Sequence, residues 1–218
     1  MNRTILLLAS THFIVDGFGN ILAPLLPLLI VRMNLSLAAA GTLQMCFQMA
    51  SSVAQLGFGH LADRWRPRLL LLAGPLVSVP VLATIGLAPN AWLLALVLVA
   101  GGLGGAAFHP PAAALVHRFS GATKGLAMSV HITSGTLGQA VAPLVFAPFV
   151  QMYGLRATPA LMIAPLALLA TVLLPRVPRF DRQSAPRAVG PPCRPAARLP
   201  KPSPPACPKG RHSLSDRG

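Results

Sequence analysis

Six long apolar runs decide what this chain can fold into. They fall at about 5–31, 37–59, 69–88, 92–116, 125–150 and 157–174, and each is near the roughly 20 residues that cross a bilayer core of ~30 Å at 1.5 Å per residue. From residue 5 to 175 the only acids are Asp16 and Asp63, and the chain has no Glu. Charged residues make up 10% of the sequence, against the roughly 25% usual for soluble domains. So little charge cannot cover a water-facing surface, and lipid is the natural solvent. In lipid every backbone N–H and C=O must be paired internally, so the runs are predicted to be helices. The first run continues to Val31, past the core length of a signal peptide, and is expected to be a retained first helix. The predicted class is an all-α membrane protein, a bundle of six transmembrane helices over residues 1–175.

The breaks between the runs are short and turn-like: Arg32 to Asn34, His60 to Arg68, Ala88 to Asn90, His117 to Lys124, and Tyr153 to Arg156. Short connections imply antiparallel neighbours in an up-and-down bundle. Loop charge sets the expected orientation. With the amino terminus in the cytoplasm, inside segments carry Arg3, then Arg64, Arg66 and Arg68, then Arg118 and Lys124, whereas outside segments carry only Arg32 and Arg156. That asymmetry follows the positive-inside rule and places both termini on the cytoplasmic face of a cell inner membrane.

Past Pro175 the character changes. Eleven of the 23 prolines lie in 175–218, among many arginines and with no apolar run. Residues 176–218 are expected to form a disordered, basic cytoplasmic tail, because such a composition cannot bury a core. The net charge of +14 invites a nucleic-acid reading. The surplus, however, sits in short loops beside apolar runs and in this tail, which fits attraction to anionic lipid and excludes nucleic acid as the expected partner. Cys46 lies in an apolar run, and Cys193 and Cys207 are far apart in the tail. No disulfide framework, metal site or cofactor is expected from these spacings. A membrane metallohydrolase is also not expected, since no His-Glu-x-x-His helix is present.

Ionisable groups within membrane helices are costly and mark function. His12 and Asp16 are four apart in the first run and share a helix face. A buried carboxylate there needs a cavity, a partner or a proton. His109 lies in the fourth run beside Pro110, where a missing N–H frees a carbonyl and permits a kink. His131 lies in the fifth run with Gly135, Gly138, Gln139 and Pro143. Gln44 and Gln48 in the second run are four apart. Asp16, His12, His109, His131, Gln44 and Gln48 are the candidates for proton coupling or a substrate cavity. Interhelical hydrogen bonding is the plainer reading of the same residues. Gly102, Gly104, Pro110, Gly135, Gly138 and Pro143 are candidates for kinks or close packing, since small residues let helix backbones approach.

The segment Gly59-His60-Leu61-Ala62-Asp63-Arg64-Trp65-Arg66-Pro67-Arg68 resembles the signature loop of the major facilitator superfamily, Gly-x-Leu-Ala-Asp-Arg-x-Gly-Arg-Arg. Gly59, Leu61, Ala62, Asp63, Arg64 and Arg68 match; Arg66 and Pro67 depart. The resemblance implies a cytoplasmic gating loop carried by Gly59, Asp63, Arg64 and Arg68. Within the superfamily the chain resembles the fosmidomycin resistance protein-like branch, through His12-Phe13 with Asp16, Pro24-Leu25-Leu26, Gly102-x-Gly104 and Phe108-His109-Pro110. Pro111 stands where that branch usually has Glu. What this implies is one six-helix half, the amino-terminal one, of a twelve-helix proton-coupled exporter of small molecules or drugs working by alternating access. The expected partners are the lipid bilayer, a small-molecule substrate, protons, and a second six-helix half or a homodimer mate. The alternatives are a truncated or frameshifted membrane remnant that moves nothing, or a six-helix protomer that works only as a dimer.

Overall fold

The structure, a computed structural model, describes residues 2–64 and 67–173. They form helices α1 (Arg3–Gly19), α2 (Leu22–Met33), α3 (Leu37–Arg64), α4 (Pro67–Ala83), α5 (Ala91–Phe119), α6 (Lys124–Tyr153) and α7 (Ile163–Leu168). Short 3₁₀ segments lie at Thr84–Leu87 and Leu155–Met162, and a π-helical turn at Leu169–Leu173. Among the described residues four stretches are long and apolar enough to cross a membrane: 3–33, 67–87, 91–119 and 124–153. The described residues are thus helical almost throughout, without a strand among them, as expected of an integral membrane protein. The expected tail, 176–218, lies outside the described residues, as do Trp65 and Arg66.

Three expectations need correction. The first run is not one helix. It breaks at Asn20 and Ile21, where the Asn20 N–H closes α1 onto the Asp16 and Gly17 carbonyls. Pro24 lies in the first turn of α2, where its missing donor costs nothing. The segment read as a gating loop is largely helix: Gly59, Asp63 and Arg64 belong to the end of α3, and Arg68 to the first turn of α4. Pro67 opens α4, the first helical position it favours. The sixth run is divided among 3₁₀, α and π turns. Its prolines, Pro159 and Pro165, each remove an N–H needed for a regular ladder.

Contacts fix how the helices run. Cβ atoms built at Gly74 and Gly104 meet Phe108 and Ser78 respectively, at 2.8 Å and 2.7 Å. Rising number on α4 therefore meets falling number on α5, and the two are antiparallel. Gly102 faces Phe47 and Ser51, and Gly59 faces Pro110, so α3 and α5 are parallel. His12 lies by Gly135, and Phe18 packs at a tilt against Phe146 with 5.2 Å between ring centroids, so α1 and α6 are parallel as well. This alternation is what an up-and-down chain requires. At one end Arg32 Nη1 donates to the Gly86 carbonyl at 2.5 Å, and Gly86 N–H donates to Thr158 Oγ1 at 3.1 Å. The end of α2, the end of the α4 stretch and the segment after α6 thus meet at one face.

Candidate functional site

A cavity of about 520 Å³ opens between α1, α3, α5 and α6, and Asp16 lines it. His12 Nε2 lies 3.4 Å from Asp16 Oδ2, and His109 Nε2 lies 3.5 Å from Asp16 Oδ1. Gln139 Nε2 donates to Asp16 Oδ2 at 3.1 Å. The His131 ring stacks on His12 at 4.2 Å between centroids, and its Nδ1 is buried without a hydrogen-bond partner. Gln44 and Gln48 line the cavity from α3, with Ser51, Ser52 and Gln55 continuing the same polar stripe.

All six residues expected to form a cavity therefore meet at one place. Asp63 and Arg64 are exposed at the end of α3, apart from it. The glycines act as expected of close packing sites. A Cβ at Gly135 would come within 2.6 Å of Asp16 Oδ2 and 2.7 Å of His12 Nε2. One at Gly138 would strike the Phe13 backbone, and one at Gly102 would press the Phe47 carbonyl at 3.2 Å. The hydrogen side chain of Gly138 is what lets α6 approach the α1 backbone this closely, and that of Gly102 brings α5 tight against α3.

Two residues outside the expected set matter. Pro143 has no N–H, so the carbonyl of Gln139, four residues earlier, has no helical donor. Asn20 Nδ2 supplies one at 2.9 Å. Asn20 sits at the α1–α2 break, so the break and the proline are joined by one hydrogen bond. Gln139 is the other: its side chain holds Asp16. It falls on the 131–135–138 stripe of α6, a spacing visible in the sequence, but no motif marked its partner.

The protonation pattern of His12 follows from geometry. Its Nδ1 lies 2.7 Å from the His131 carbonyl oxygen, which can only accept, so Nδ1 carries a proton. Nε2 then faces Asp16 with either a second proton or a bare lone pair. Two lone pairs facing each other repel, so the His12–Asp16 pair is satisfied by a proton or another cation between them.

A model of the Major Facilitator Superfamily matches residues 8–208. The chain is similar to the fosmidomycin resistance protein of Escherichia coli (strain K12), 30% identical over 175 residues, covering 79% of this chain and 42% of that protein. It is also similar to the uncharacterised MFS-type transporter YfnC of Bacillus subtilis (strain 168), 29% identical over 144 residues, 66% of this chain and 35% of that one. A shorter match is the multidrug resistance protein MdtH of Shigella dysenteriae serotype 1, 31% identical over 87 residues, 40% of this chain and 22% of that protein. The chain spans less than half the length of these curated relatives.

Proposed function

We propose that this chain, which belongs to the major facilitator superfamily of membrane transporters, supplies the amino-terminal half of a proton-coupled exporter of small molecules. One observation carries the reading: a carboxylate within an apolar helical body, flanked by two imidazoles and an amide, on the wall of a cavity. A membrane-embedded carboxyl paired in this way can take a proton from one side and give it to the other as the cavity changes access. His12, with Nδ1 tied to the His131 carbonyl, presents Nε2 to receive it. Gln44, Gln48 and Gln55 offer hydrogen bonds to a polar cargo. In this reading α3 and residues 155–173 also span the bilayer, the termini are cytoplasmic, and the Asp63–Arg64–Arg68 region gates the inner face.

The test is uptake into everted vesicles under an imposed pH gradient. Fosmidomycin is the first cargo to try, because it names one relative. The expected result is gradient-dependent uptake that Asp16→Asn abolishes and a protonophore collapses. Uptake driven by sodium alone, or unaffected by Asp16→Asn, refutes the coupling. A second reading rests on exposed apolar side chains, Ile132 on α6, which lines the cavity, and Met45 and Met49 on α3, each next in sequence to a cavity-lining glutamine. They suit a second helical body closing the cavity, either a further half or a second copy. Mass measurement in detergent separates a dimer from a monomer, and a monomer without uptake favours a non-transporting remnant.

A further inference from the structure

His12, Asp16 and His109 each offer one ligand atom, and these atoms all lie within 4.8 Å of one another. We infer that they form a binding site for one divalent first-row transition ion of the Zn²⁺ and Co²⁺ class. The inference concerns binding alone and holds whether or not the chain transports.

Three observations support it. The first is spacing. Bonds of ~2.0–2.1 Å from Zn²⁺ to imidazole and carboxylate, at tetrahedral angles, put neighbouring donors about 3.3–3.4 Å apart. His12 Nε2 lies 3.4 Å from Oδ2 of the carboxylate and His109 Nε2 lies 3.5 Å from its Oδ1. Each imidazole thus stands at that spacing from one of the two oxygens, farther than the ~2.7–3.2 Å of a good N–H···O bond, and a single ion between the rings would draw on both oxygens or turn one toward itself. The second is outer support. Ligating histidines characteristically donate their other ring N–H to a carbonyl, fixing ring and tautomer. His12 does this through Nδ1 to the His131 carbonyl at 2.7 Å, and Gln139 steadies the carboxylate at 3.1 Å. The third is access. All three ligands line the cavity, leaving room for water at the remaining coordination positions. Two imidazoles and a carboxylate suit Zn²⁺, Co²⁺ or Ni²⁺, whereas Mg²⁺ and Ca²⁺ want oxygen donors throughout. An ion there ties α1 to α5.

The experiment is Co²⁺ titration of the full chain, purified in detergent through a tag free of histidine. Cys46, Cys193 and Cys207 are changed to Ser, so that no thiolate competes. Expected are one saturable equivalent, visible-range d–d bands, and X-ray absorption showing two imidazoles with oxygen donors at about 2.0–2.1 Å. Asp16→Ala and His109→Gln should each weaken binding at least ~10-fold, whereas His60→Ala and His117→Ala leave it unchanged. Helical circular dichroism and elution volume establish that each variant is folded. Since a misfolded variant would be uninformative, Zn²⁺ displacement of Co²⁺ from the parent chain is measured in parallel. Absence of saturable binding in the parent, retention of affinity in Asp16→Ala, or loss of it in His117→Ala overturns the site.

Discussion

Replacing Gly138 by Ala tests whether α1 and α6 are held together by backbone contact. The added Cβ would strike the Phe13 carbonyl oxygen and come within 2.9 Å of its carbon and 3.1 Å of its Cα. These are backbone atoms, so no rotamer change relieves them. Restoring an ordinary separation of ~3.5 Å from the oxygen, the nearest of these atoms, requires the helices to part by more than about 1 Å. Such overpacking costs roughly 1–3 kcal/mol. Gly57→Ala is the control, because a Cβ there meets nothing within 4 Å and removing a helical Gly should stabilise by ~0.5–1 kcal/mol. The two variants should therefore differ by roughly 2–4 kcal/mol, a separation on the order of 5–10 °C in melting temperature for a chain of this size. Thermal unfolding of both proteins in the same detergent reads the difference. The same displacement stretches the 3.1 Å bond from Gln139 to Asp16 beyond hydrogen-bonding range, so function should fall with stability. If Gly138→Ala melts at or above Gly57→Ala, the close α1–α6 packing described above is wrong.

Gly135→Ala should behave differently, since its Cβ meets the side-chain ends of Asp16 and His12, which can swing aside. Melting should change little while proton-driven uptake, where measurable, is lost. Thr158→Val removes the acceptor of the Gly86 N–H in a fully buried position and should cost about 1–3 kcal/mol in unfolding measurements. Asn20→Ala leaves the Gln139 carbonyl without a donor and should cost about 0.5–1.5 kcal/mol. Combined with Pro143→Ala, which restores a helical N–H to that carbonyl, the loss should shrink, and a double-mutant cycle should show coupling rather than additivity.

Much of this arrangement can be read in the chain itself. His12 and Asp16 share a face because they are four apart, and the stripe from Gln44 through Gln48 to Gln55 recurs at helical spacing. Both patterns are local, and local periodicity suffices for them. The convergence of His109, His131 and Gln139 on Asp16 is different. It depends on which faces of α1, α5 and α6 meet, and that is set by where glycine lets backbones touch. The break at Asn20 was hidden because one polar residue barely lowers the hydropathy of a long apolar run. That Gly59, Asp63 and Arg64 are helical is not legible in the sequence, because a cluster of charged residues beside Pro67 has the composition of a turn. No metal spacing was visible because the three ligands come from two helices, 93 positions apart between Asp16 and His109.

The polar centre of the bundle is built from irregularities. In a regular apolar helix every backbone N–H beyond the first turn is consumed by its own ladder, so an inserted carboxylate finds no donor outside the side chains. Here Pro143 releases the Gln139 carbonyl and Asn20, at the end of α1, takes it. The same Gln139 turns its side chain to Asp16, and the His131 carbonyl receives His12. A break, a proline and a glycine-lined contact thus position one acid. Substitutions that make these helices more regular should make the bundle more stable and the site less able to hold a cation. That trade is the expected signature of polar groups kept in lipid for function rather than for folding.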